Sequence, residues 1–139
     1  MSHVAQQVRE WAVTALTGYL TLPTPLLGLQ KQIDTFPAVA IIPSIEENER
    51  ADIHLGLERT LSISIEAIAK TLDVAETTAL NIEKGLAASK AVSPATSFTY
   101  VISQREYVYD NDTDQNFFVI SQQIDFVYYT DDNDPETFT

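Results

Sequence analysis

Three aspartates at alternate positions, Asp110, Asp112 and Asp114, come nearest in this sequence to the spacing of a cation-binding loop. Alternating carboxylates can converge on a hard cation such as calcium, which takes oxygen ligands. A calcium loop of that kind also needs glycine at its sixth position and a bidentate glutamate at its twelfth, where Gln115 and Ser121 stand here. The run therefore reads as a polar hairpin loop, with calcium as the alternative. His3 and His54 are the two histidines, and neither belongs to a recognisable metal spacing. There is no cysteine, which removes thiolate catalysis, disulfides and cysteine-ligated metal centres together. No serine occupies a Gly-x-Ser-x-Gly turn, and the four glycines form no phosphate-binding loop. Many carboxylates remain, but no pair is forced together in the way that would tune them for acid or base work. The expectation is a protein that is not an enzyme and carries no metal or cofactor.

The elements that would position these groups are bounded first by composition. At 139 residues and 45% hydrophobic content, the chain suits one globular domain. Twenty acids against eight bases give a formal charge of −12, and the imbalance grows along the chain. Residues 1–90 hold eleven acids and seven bases, whereas residues 91–139 hold nine acids and only Arg105. Binding to nucleic acid or to an anionic membrane is disfavoured, since no cluster of Lys and Arg is present to grip phosphates. The acidity suits solubility, and it also suits a surface past which polyanions slide without sticking. The first residues, Met1 to Gln7, lack the basic and apolar segments of a signal peptide, and no apolar stretch is long enough to span a bilayer.

Val4, Val8, Trp11, Ala12, Ala15 and Tyr19 recur at spacings of three and four, predicting an amphipathic helix that ends by Gly18, Pro23 and Pro25. Leu22 to Leu29 reads as an apolar loop that packs back on the domain or on a neighbour. Phe36 to Pro43 reads as a short strand bounded by prolines, and Glu46 to Asp52 as a charged, solvated connection. Leu55, Leu57, Leu61, Ile63, Ile65 and Ala67 then alternate with polar residues, the mark of a long strand with one buried face. Arg59 breaks the apolar side, which places it near a strand bend, a sheet margin or an interface. Asp73, with Glu76 three residues on, suggests the cap of a second helix with Ala75, Ala79, Ile82 and Leu86 inside. Ala87 to Ala95 reads as a turn.

The second half reads as one long β-hairpin. Phe98, Tyr100 and Ile102 face inward on one arm, and Phe118, Ile120, Ile124, Phe126 and Tyr128 on the other, with a polar loop between them. Its further aromatics, among them Tyr107, Tyr109, Phe117 and Tyr129, fit subunit contacts or ordinary strand propensity. Residues 131–139 read as a mobile acidic tail. The expected architecture is α+β: an antiparallel or mixed sheet of about four to five strands with two helices on one face.

The order of these pieces resembles the tail terminator, or tail completion, proteins of tailed bacteriophages. The residues that carry the resemblance are a helix ending near Tyr19, the segment Asp34-Thr35-Phe36-Pro37-Ala38-Val39-Ala40-Ile41, and the strand Leu57 to Ile65. A mid-chain helix and the closing Ile124-Asp125-Phe126-Val127-Tyr128 complete it. The resemblance implies a non-enzymatic virion tail protein, assembled in the bacterial host cytoplasm. It implies a homo-hexameric ring that caps the tail tube protein, ends polymerisation and presents a surface to a head-completion or neck protein. DNA would pass through the ring without sequence-specific binding, and no membrane would be involved. Candidate assembly loops are Glu46, Glu47, Glu49, Arg50 and Asp52, and Asp110, Asp112 and Asp114 at the hairpin tip. Candidate interface residues are Arg59, Tyr107, Tyr109, Phe117 and Tyr129. The Pro-rich run Leu22 to Leu29 departs from the short polar connection expected of the family. The alternative is an accessory neck or adaptor module that binds through its aromatic hairpin.

Overall fold

The computed structural model describes residues 3–17, 26–27, 36–50, 57–89, 99–110, 117–131 and 134–138. Its elements in chain order are α1 (Val4–Thr17), β1 (Leu26–Leu27), β2 (Ala38–Arg50), β3 (Leu57–Ala69), α2 (Leu72–Ala88), β4 (Thr99–Asp110), β5 (Phe117–Asp131) and β6 (Asp134–Phe138). The strands form one mixed sheet in the order β1-β2-β3-β5-β4, with β6 paired to β5. The β1–β2 pair is parallel and the others are antiparallel. Both helices lie on one face, as the alternation of β3 and the two helical stripes require.

The helix-covered face holds the main core. From α1 it takes Val4, Val8, Trp11, Ala12, Ala15 and Leu16; from α2, Ala75, Ala79, Ile82 and Leu86. These meet Val39 and Ile41 of β2, Leu61, Ile63, Ile65 and Ala67 of β3, and Ile120, Ile124, Phe126 and Tyr128 of β5. Full burial of a side chain such as Ile63 or Phe126 contributes about 1.5–3 kcal/mol. Trp11 packs edge-on against Phe126 at 6.1 Å between ring centroids, and Tyr100 lies beside both rings. The other face carries a small apolar patch at one end, where Ala38, Ala40 and Ile68 pack with Phe36, Phe117 and Val119.

Several sequence expectations are corrected. The strand that begins after Pro37 does not stop at Pro43; β2 continues through the charged run to Arg50, paired with β3 from Ala38↔Ile68 to Arg50↔Leu57. The long neighbouring strand supplies backbone partners that a charged run lacks by local propensity, so Glu46, Glu47, Glu49 and Arg50 belong to a strand and not to a loop. Leu26 and Leu27, read as loop, pair with Ala40 and Ile41 as β1. Asp134–Phe138, read as a mobile tail, is β6, with Thr130↔Phe138 and Asp131↔Asp134 in register. The cap of α2 is Thr71 rather than Asp73. Thr71 has the extended backbone a cap requires, and its hydroxyl accepts from the Val74 N–H at 3.3 Å. Asp73 already lies in the first turn, where its charge favours the helix dipole. Thr77 and Thr78 donate their hydroxyls to the carbonyls of Asp73 and Val74, which reconciles them with a helix interior. The expected turn from Ala87 begins late, since Ala87 and Ala88 close α2 and Ser89 caps it; its residues 90–95, with Tyr19, His54, Leu55 and Phe98, lie outside the described residues.

Two β-bulges decide which residues reach the helix-covered face. In β2, Pro43 pairs with Ile63 and Ile45 with Ser62, so Ser44 is an extra residue without a partner. In β4, Ile102 pairs with Ile124 and Gln104 with Gln123, so Ser103 is the extra residue. An inserted residue reverses the alternation beyond it. Ile45 is thereby left 53% exposed on the outer face while Glu46 turns inward beside Leu61. Likewise Arg105, Tyr107 and Tyr109 share the helix side with Gln122, Ile120 and Phe118.

Candidate functional site

Arg59 is the buried charge that the sequence marks as anomalous. It stays on the core face of β3 because its guanidinium is met on several sides. Its Nε donates to Thr130 Oγ1 at 2.9 Å, and its Nη1 donates to Glu46 Oε1 at 2.8 Å. The Thr130 hydroxyl comes from the end of β5, and the Glu46 carboxylate from just beyond the β2 bulge. His3 approaches from the start of α1, its Nε2 3.4 Å from the same Nη1. The Ala5 N–H donates to His3 Nδ1 at 3.1 Å, so a neutral ring carries its proton on Nε2 and faces Arg59 donor to donor. That contact is proximity rather than a hydrogen bond. Tyr128 lies in the same corner. Its burial, followed by the nearby Glu46 carboxylate, pushes its phenol well above the ordinary value of 10, while Arg59 pulls the other way. The corner joins β2, β3 and β5 beside the start of α1.

A second polar cluster lies on the same helix-covered face, toward the β4 edge of the sheet. Gln122 of β5 is fully buried; its amide donates to the Ala79 carbonyl of α2 at 3.2 Å, and its oxygen accepts from Arg105 Nη2 at 3.0 Å. Arg105 also pairs with Glu83 of α2. These contacts fix α2 across β5 and β4. Beside them a cleft runs between α2 and β4. One part, about 360 Å³, is lined by Glu76, Leu80, Glu83, Arg105 and Tyr107; the next, about 420 Å³, by Leu72, Glu76, Tyr107, Tyr109, Phe118 and Ile120. Tyr107 and Tyr109 are 57% and 51% exposed, and Leu72, Leu80 and Val108 are exposed as well. No other described strand pairs with the far edge of β4.

The outer face of the sheet is polar and acidic away from its apolar end. Ser62 donates to Asp125 at 2.7 Å, and the Ser64 and Ser121 hydroxyls meet at 2.7 Å. Tyr129 donates its hydroxyl to Glu58 at 3.1 Å, which raises the phenol's pKa. Burial raises the Glu66 carboxyl likewise. The strand residues of this face with described charged side chains are Glu47, Glu58, Glu66, Glu106 and Asp125. Lys70 lies just past β3, 5.4 Å from the centroid of the Phe36 ring.

The candidate residues therefore do not converge on one site. Arg59 belongs to the buried corner. Tyr107 and Tyr109 line the cleft on the helix side, while Phe117, packed 6.0 Å from Phe36, and Tyr129 lie on the outer face. Among the proposed assembly loops, Glu46, Glu47, Glu49 and Arg50 are opposite Leu61, Thr60, Glu58 and Leu57 on β3. Asp110 closes β4 opposite Phe117; Asp52, Asp112 and Asp114 lie outside the described residues. The α2 side of the cleft is absent from the sequence reading, although Leu72, Glu76, Leu80 and Glu83 recur at helical spacing on one flank of α2. Among the described residues no group of three or more His, Asp or Glu side chains is placed to hold a metal ion, and no helix is long and apolar enough to cross a membrane. Compared with known proteins, the sequence matches no family model and no curated protein.

Proposed function

We propose that this protein is a non-enzymatic ring subunit that caps the end of a phage tail tube, ends its polymerisation and offers a surface for head joining. The observation that carries the reading is the segment from Phe36 to Ile41, which leads into β2 between an N-terminal amphipathic helix and the long strand β3. This is the arrangement on which the resemblance to tail terminator proteins rests. The acidic outer face supports it secondarily, because a passage lined by carboxylates repels DNA phosphates and lets the polymer move. A ring needs a heterologous contact whose rotation closes. Negative-stain imaging with mass determination, with and without tail tubes, tests the proposal. Hexameric rings and decorated tube ends are expected; a chain that stays monomeric and never associates with tubes overturns it.

A second reading is favoured by one observation, the exposed pair Tyr107 and Tyr109 on the hairpin. In it the protein is an accessory neck or adaptor module that binds one partner through the hairpin. Replacing both tyrosines with serine then abolishes partner binding; unchanged binding excludes this version.

A further inference from the structure

We propose that β4 is a docking edge, which accepts as an added strand an extended segment of another protein in which apolar residues alternate with Lys or Arg. The first ground is the edge itself. β4 spans twelve residues, no other described strand pairs with its far side, and it contains neither proline nor lysine, two residues that commonly block such edges. Beyond the Ser103 bulge, the backbone groups of Gln104–Asp110 on that side can accept a strand, the mode of recognition known as β-augmentation.

The second ground is what lies on either side of the edge. On the helix face, the alternate side chains of an added strand would lie beside Tyr107 and Tyr109 and over the cleft formed with Leu72 and Phe118. That position suits apolar residues. On the outer face the remaining side chains would lie beside Glu106, which stands between Gln104 and the exposed Val108, on a surface whose described charged strand residues are all acidic. That position suits cations. The two faces thus select a two-residue repeat, apolar on one side and basic on the other.

Charge complementarity also decides against a second copy as the occupant. A copy would bring its own Glu106 to a chain that already carries a formal charge of −12. The docking requires no ring, so its failure leaves the tube-capping proposal standing, and the reverse holds.

Amide hydrogen exchange on the full chain tests the proposal, with three peptides as long as β4: alternating Lys-Val, alternating Glu-Val, and a block peptide of the same Lys and Val content. The alternating Lys-Val peptide should slow exchange at every second amide of Gln104–Asp110. The other two should bind about tenfold more weakly or worse. Glu106→Lys and Tyr107→Ser, both at exposed positions, should keep the fold by circular dichroism and weaken binding. Equal binding of the block peptide, protection confined to another strand, or no binding overturns the proposal. So does protection of β4 without peptide that rises with protein concentration, which would assign the edge to a second copy.

Discussion

Two arginines share the helix-covered face of the sheet, one on β3 and one on β4, and each meets a glutamate after a β-bulge has reset a strand. Arg59 and Glu46 are withdrawn from water, with side chains 9% and 23% exposed; Arg105 and Glu83 are open, at 38% and 33%. In the first pair both bulge and partner are across from the arginine, on β2; in the second the bulge lies in the arginine's own strand. The difference teaches that one local device, an extra residue in a strand, produces two kinds of ion pair. Where helix α1 closes over the pair, losing one partner strands a buried charge. Where the cleft leaves the pair wet, solvent can replace either partner.

The comparison can be broken most directly at Glu46. Glu46→Ala should cost about 3 kcal/mol, read from the urea midpoint at constant m-value, because Arg59 keeps its charge and loses its carboxylate. A loss below about 1 kcal/mol would place the corner in the same class as the open pair. The next effect is on pH dependence. Tyr128 has its folded pKa raised above the unfolded value near 10, so the folded state holds the phenolic proton longer. Its contribution is complete below about pH 10 and is lost as the pH climbs from there toward the folded value. Tyr128→Phe should flatten that alkaline loss in a series of denaturation curves; an unchanged slope would mean that the phenol is not held by the corner.

A double-mutant cycle on Arg105 and Glu83 should give a coupling of about 0.5 kcal/mol, further reduced by salt. A coupling above about 2 kcal/mol would erase the contrast with Arg59. The smallest effect belongs to the outer face. Burial raises the Glu66 pKa, so its charge opposes folding as the pH rises through the carboxylate range. Glu66→Gln should raise stability at neutral pH by no more than about 0.5 kcal/mol, and thermal melts at pH 4 and pH 7 should show the gain only at the higher pH.

Periodicity made α1, β3 and the inner faces of β5 and α2 legible, since each is written in spacings that a single strand or helix imposes on itself. What stayed hidden depends on partners remote in sequence. The charged run Glu46 to Arg50 becomes a strand only because β3 is long enough to pair it. Serine at 44 and 103 is a residue type that regular strands also hold, so nothing local announces the reversal of faces. Arg59 was visible as an anomaly, but its partners Glu46 and Thr130 are brought to it by register alone. The site was half legible in the same way: Tyr107 and Tyr109 stood out as surplus aromatics, whereas Leu72 and Leu80 fell on the flank of α2 that its core face did not claim.

The two bulges also work as a reading frame for side chains. Deleting Ser44 would keep Ile45↔Ser62 and Glu46↔Leu61 and remove only the bulge, but pairing Ser44 itself with Ser62 would exchange Ile45 with Glu46, giving a more hydrophobic core and a solvent-facing acid. Every residue would keep its identity, yet Arg59 would lose its carboxylate. Pairing Ser103 with Gln123 would likewise send Arg105, Tyr107 and Tyr109 to the acidic face and bring Gln104, Glu106 and Val108 against α2. A one-residue slip of register at either serine therefore rewrites the chemistry of a whole half-strand.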